Sequence, residues 1–332
     1  MTPETYTPKT VYTTYIKAPA ERIWEALTSS EISPQFFFGR RVESDWKLGS
    51  VVNYWQEDGT LDVTGKVAEV DYPRRLSFTW HVEWLEEFRH LPEVLVTFEI
   101  EPQEDDTMKL TMIEAHRAEV DPKLLEGGRR GWSIILNGLK TLLETGAPMP
   151  TFIPEAPKPT DPEQVSVDGF VYVAYIATTP ERVWEALTSS ELSAQYWGGY
   201  HVDSDWKVGS PFTLWGPDGE VGDTGVILES DPPRRLSYTW RVEAFPQMRE
   251  EGFSRVAFDI EPLGELVRLT LTHDQFPTPS LVRDAVSNGW PALVAGLKSM
   301  LETGRLPSSS SVAAGKAAKA RIQAKLDGRT PA

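Results

Sequence analysis

At 332 residues, 40% apolar and 25% charged, the chain has the length for two ordinary hydrophobic cores and the profile of a folded protein, which excludes a disordered one. It has no cysteine, which excludes disulfides, thiolate metal sites and a cysteine nucleophile. The net charge is −16, but after Gly304 six basic residues (Arg305, Lys316, Lys319, Arg321, Lys325, Arg329) face only Asp327, so a tail of +5 follows a body of −21 that repels nucleic acid backbones.

The first residues, Met1 to Lys9, are polar where a secretory signal needs an apolar run, and no stretch of about 18 apolar residues follows. The expected compartment is the cytoplasm, without membrane insertion. Val11 to Lys17 is β-branched and aromatic and reads as a strand. Ile23, Trp24 and Leu27 then fall on one helical face, and Ser30 to Phe37 predicts a second short helix. Several short strands are broken by turn residues. Leu76, Phe78, Trp80 and Val82 alternate with polar residues, the pattern of a half-buried antiparallel strand. Val94 to Glu101 and Met108 to Glu114 predict two more. Asp121-Pro122 signals a helix start, Trp132, Ile135, Leu136, Leu139, Leu142 and Leu143 recur on one face, and Gly146 stands at the helix C-terminus.

From residue 147 to 165 the chain carries six prolines, a composition that predicts a semi-rigid spacer. The whole pattern then repeats. VYTTYIKAPAERIWEALTSSEIS from Val11 returns as VYVAYIATTPERVWEALTSSELS from Val171, at an offset of 160 that also carries SDWKLGS onto SDWKVGS. By the final helix, GWSIILNGLKTLLETG against GWPALVAGLKSMLETG, the offset is 158, so two residues are lost in intervening loops. A period this long makes each repeat a whole domain. The expected organisation is therefore a first domain over 9–146, a linker over 147–165, a second domain over 166–304 and a basic tail over 305–332, disordered or loosely helical. Strands segregated from helices predict an α+β fold. A curved antiparallel sheet wraps the long last helix, and two short helices follow the first strand. The gap between sheet and helix is the natural place for an apolar pocket.

PAERIWEALTSSE and TPERVWEALTSSE, PRRLSFTW and PRRLSYTW, and the two closing GW…GLK…LETG segments resemble the START-like, or SRPBCC (Bet v 1-like), helix-grip superfamily. Within it they resemble the C-terminal domain of the activator of heat-shock-protein-90 ATPase. The resemblance implies a sheet gripping a C-terminal helix around a cavity that in relatives holds lipids, polyketides or hormones. It also implies several possible activities: ligand carriage, cyclase or aromatase chemistry, or co-chaperone work.

Zinc, P-loop, dinucleotide and serine-hydrolase signatures are absent, so no metal or cofactor is expected. The candidates for acid–base work are Glu114 with His116 and His273 with Asp274, a carboxylate beside an imidazole near the end of the last strand of each repeat. The alternative is polar residues at a surface or pocket rim. Phe78, Trp80, Trp132 and the paired Tyr238, Trp240, Trp290 fall on buried faces and are candidates to line the pocket. Phe36 and Phe37, replaced by Tyr196 and Trp197, are candidates for its lid. The leading expectation is a binding protein for a small hydrophobic molecule. The alternatives are a cyclase-like enzyme using the same pocket and a module that binds a chaperone or regulator.

Overall fold

The computed structural model describes residues 6–84, 86, 89–117, 122–151, 169–307, 310 and 312–328. The chain divides into two compact units, Met1–Met149 and Pro150–Ala332. Most of the proline-rich spacer, from 152 on, lies outside the described residues, as does Asp121.

The first unit runs β1 (Thr7–Lys17), α1 (Ala20–Thr28), a 3-10 turn (Ser33–Gln35), β2 (Arg41–Glu43), β3 (Val51–Trp55), β4 (Leu61–Asp71), β5 (Arg75–Val82), β6 (Val94–Pro102), β7 (Thr107–His116) and α2 (Pro122–Thr145). The strands form one antiparallel sheet in the order β1-β7-β6-β5-β4-β3-β2. The second unit repeats it with β8 (Phe170–Ile176), α3 (Pro180–Thr188), α4 (Ser190–Tyr196), β9 (His201–Asp203), β10 (Pro211–Trp215), β11 (Val221–Asp231), β12 (Arg235–Val242), β13 (Ser254–Leu263), β14 (Leu266–Asp274) and α6 (Leu281–Thr303). It adds a short α5 (Pro246–Arg249), and its sheet order is β8-β14-β13-β12-β11-β10-β9. Each unit is thus an α+β helix-grip domain.

Each sheet has a bend marked by one glycine. A Cβ on Gly65 would lie 1.7 Å from the Thr79 carbonyl oxygen, and one on Gly225 would lie 1.7 Å from that of Thr239. Only glycine permits so close a strand crossing, and the pairing register slips next to it, between Val67 and Glu69 and between Ile227 and Glu229.

The helix expected over Ser30 to Phe37 is shorter in the first unit than sequence periodicity suggested. It is a single 3-10 turn there and the seven-residue α4 in the second unit. Pro34 stands where the second unit has Ala194. A proline lacks the N–H that an α-helix needs at that point and crowds the preceding turn.

The closing helix is locked to the first strand by a buried ion pair. Lys140 Nζ donates to the Tyr15 carbonyl (2.7 Å) and to Glu144 (2.5 Å), and Glu144 accepts the Lys17 N–H (2.9 Å). The second unit repeats this with Lys298, Tyr175, Glu302 and Ala177. All four charged side chains are at most 4% exposed. Removing one partner of such a pair strands a charge and costs about 3–5 kcal/mol.

The tail contains a 15-residue helix, α7 (Val312–Leu326). It sits on the second unit, with Lys316 paired to Asp218 (2.9 Å) and Lys319 to Glu220 (3.0 Å). Gly198 donates its N–H to the Ser310 carbonyl (3.1 Å), and a Cβ on Gly315 would lie 2.9 Å from the Gly198 carbonyl oxygen. Two glycines therefore set how closely the tail approaches.

Candidate functional site

The inner face of each sheet meets its closing helix across a cluster of aromatic rings. Period two on β5 sends Phe78 and Trp80 inward, and period 3.6 on α2 brings Trp132 over them. The Trp80 and Trp132 ring centroids are 5.3 Å apart. Phe37, just after the 3-10 turn, closes the group, 4.8 Å from Tyr54, 5.9 Å from Trp80 and 6.0 Å from Trp132. Phe36 packs edge-on against Phe37. The five aromatic residues singled out from the first repeat therefore meet in one place.

Their counterparts do the same. Trp240 lies 5.8 Å from Trp290 and 6.2 Å from Tyr238, while Trp197 packs against Tyr196, Trp240 and Trp290. Every one of these ten side chains is buried except Trp80 and Trp197, which are half-buried. Ring pairs at these distances each contribute about 0.5–1.5 kcal/mol beyond their buried area, so the clusters are packed cores as well as candidate ligand surfaces.

Two open depressions lie away from the rings. One, of about 550 Å³ in the first unit, includes Thr28, Ser30, Glu43 and Asp45 in its wall. The other, of about 210 Å³, is bordered by Ser190, His201, Asp203, Trp215 and Gly219. The wall of the first is largely polar, unlike the usual small-molecule pocket.

At one edge of each cluster sits a polar group that anchors the helix tryptophan. In the first unit Trp132 Nε1 donates to Glu114 Oε2 (2.7 Å), and His116 Nε2 lies 2.8 Å from Glu114 Oε1. A carboxylate accepts, so this imidazole nitrogen carries a proton. Glu114 and His116 are two apart on β7 and share the inner face.

In the second unit Trp290 Nε1 donates to His273 Nδ1 (3.0 Å). The His273 proton is therefore on Nε2, which donates to Ser254 Oγ (2.7 Å), and the Ser254 hydroxyl donates to the Trp240 carbonyl (3.2 Å). Burial pulls the His273 pKa down to about 3, so the ring is neutral. With both nitrogens engaged, it is wired as a structural link and has no free lone pair for a general base. Asp274 faces the other side of the strand and holds Arg255 in two hydrogen bonds (2.9 and 2.6 Å), so His273 and Asp274 do not meet.

Strand register makes Glu114 the counterpart of His273. Glu114 pairs with Val96 and His273 with Val256, and each accepts its helix tryptophan. Sequence reasoning missed this, and also missed the buried Lys–Glu lock. The signal for the lock was present, because GLK and LET recur unchanged in both closing helices. Among the described residues, no three of His, Asp and Glu gather as a metal site, and no helix is long and apolar enough to cross a membrane.

Comparison with known proteins places these units. The family described as "Activator of Hsp90 ATPase homolog 1-like protein" matches residues 17–144 and 177–302. No curated protein matches the chain. Among solved structures, CalU16 from Micromonospora echinospora is 22% identical over 47% of this chain and 88% of its own, with a TM-score of 0.34. DynU16, from the dynemicin biosynthetic locus, is 16% identical over 89% of this chain and 98% of its own, with a TM-score of 0.37. PFC0360w, an HSP90 activator from Plasmodium falciparum, is 23% identical over 37% of this chain and 86% of its own, with a TM-score of 0.32. Two family matches, each spanning one helix-grip unit, make this chain a tandem member of the Activator of Hsp90 ATPase homolog 1-like family.

Proposed function

We propose that each unit binds a small hydrophobic molecule, of lipid, polyketide or aromatic type, against the ring cluster between its sheet and its closing helix. The observation that carries this reading is the half-buried ring in each cluster, Trp80 in the first unit and Trp197 in the second. Each leads from the surface into an otherwise buried aromatic group, so a ligand enters by replacing ring contacts.

Magnitudes set the affinity. Trp197 has three ring partners, whose loss costs about 1.5–4.5 kcal/mol in all. A ligand burying about 200 Å² of apolar surface recovers about 5 kcal/mol. The surplus is about 0.5–3.5 kcal/mol, so Kd values of about 3 mM or weaker are expected. No chemistry is needed for this role. A cyclase-like reaction has support only in the first unit, where Glu114 orients His116. We place the activity in the cytoplasm, the compartment expected from the sequence.

The family's description favours a second reading, a module that binds an Hsp90-type chaperone, and the dense packing of both clusters is compatible with it. Titrating the full chain with a fatty acid, a polyaromatic and a planar ketone while following tryptophan emission separates the two. Saturable change with at least one of them is expected. Unchanged emission throughout, with a chaperone retained in a low-salt pull-down, would transfer the role to protein binding.

A further inference from the structure

We infer that Trp240 is the specificity-determining residue of the second unit, its indole N–H selecting a planar apolar ligand that carries a hydrogen-bond acceptor such as a carbonyl oxygen. This rests on the ligand-binding reading above and adds the ligand's chemical class.

Trp240 is 5% exposed, and its Nε1 is buried with no hydrogen-bond partner. Buried indole donors are nearly always paired, so an orphan one calls for a partner that the folded chain does not supply. Its ring neighbours are Trp197, Phe212, Tyr238, His273 and Trp290, with centroids 5.8–6.2 Å away. Several polar atoms around the cluster are already committed. His273 Nδ1 accepts from Trp290, His273 Nε2 is bonded to Ser254, and the Tyr196 hydroxyl donates to the Ala186 carbonyl (3.0 Å). The acceptor must come with the ligand.

An indole N–H lies in the plane of its ring. The acceptor therefore meets the edge of Trp240, while the ligand's apolar body takes the place of contacts made by the half-buried Trp197. The first unit's ring cluster makes no such demand. Its counterpart, Trp80, is half-buried, and Val94 stands where the second unit has Ser254.

The test uses the full chain and two probes of one bicyclic skeleton, 1-indanone and indane, which differ by a carbonyl oxygen. Affinities are read from tryptophan emission, and indole N–H resonances are followed by NMR. The ratio of the two affinities is compared between the wild type and each variant, which cancels the probes' different affinities for water. Trp240→Phe keeps an aromatic ring and removes the donor, and is expected to lower the second unit's indanone preference about 10-fold. Trp84→Phe, at an exposed tryptophan outside both ring clusters, is expected to leave that preference unchanged. In the wild type, the one indole resonance missing from Trp240→Phe should move downfield with indanone and stay in place with indane, a readout that does not depend on the variant's stability. A preference that survives in Trp240→Phe, or an indole resonance that ignores the carbonyl, overturns the inference and leaves hydrophobic binding standing. If neither probe binds either unit, the ligand-binding reading fails along with it.

Discussion

The two units solve one local problem with different chemistry. Both bury a helix tryptophan whose indole N–H needs an acceptor. The first unit supplies Glu114, with His116 on its other oxygen, and the second supplies His273, with Ser254 on its other nitrogen. Where the first unit has Val94 and His116, the second has Ser254 and Gln275 at the matching positions. The fold thus preserves a satisfied tryptophan, not a residue type. The exchange also leaves a carboxylate–imidazole pair in one unit and a neutral, fully engaged imidazole in the other.

The largest expected effect tests whether the units are otherwise equivalent. Lys140→Ala and Lys298→Ala each strand a buried glutamate, and each should destabilise its own unit by about 3–5 kcal/mol in urea unfolding. A cost confined to one unit would break the equivalence from which the comparison starts.

Acid comes next and should separate the units. The His273 pKa is about 3 in the folded state, below the ordinary value of 6.5. The unfolded chain therefore binds a proton that the folded chain refuses, and stability is lost as pH falls from about 6.5 towards 3. At pH 4.5 this amounts to about 3 kcal/mol. Following unfolding of the second unit against pH should show this slope, and His273→Gln should flatten it. An unchanged slope in that variant would remove His273 as its source.

Glu114→Leu leaves the Trp132 N–H without its acceptor and should cost the first unit about 1–3 kcal/mol, measured by denaturant unfolding. Loss of much less would mean that the anchor contributes little in either unit. The smallest effect concerns α7. Lys319→Glu breaks one half-exposed ion pair, worth about 0.2–1 kcal/mol, and should speed amide exchange at Gly198 without touching the first unit.

Repeats, element order and the apolar stripes of the closing helices were all readable from the residues, because duplication displays each pattern twice. The aromatic candidates were readable for the same reason: period two places Phe78 and Trp80 on one face, and period 3.6 places Trp132 opposite. The Glu114–His273 correspondence was hidden by loop lengths. Ile100 and Ile260 are 160 apart, Leu110 and Leu269 159, and Trp132 and Trp290 158. One residue is therefore missing from the β6–β7 turn equivalent and one from the loop before the last helix. Placing the first of these aligns Glu114 with His273. The inward Lys–Glu lock went unread because a charged pair on an apolar helix face looks like a solvated edge until the first strand's carbonyl and N–H are seen to receive it.

The most direct test of the ring-cluster account is an indole N–H spectrum of the full chain titrated with 1-indanone. Saturable movement of the Trp80, Trp132, Trp240 and Trp290 resonances, with the exposed Trp84 unmoved, is the result expected. Movement confined to Trp84, or none at all, would contradict binding between sheet and helix.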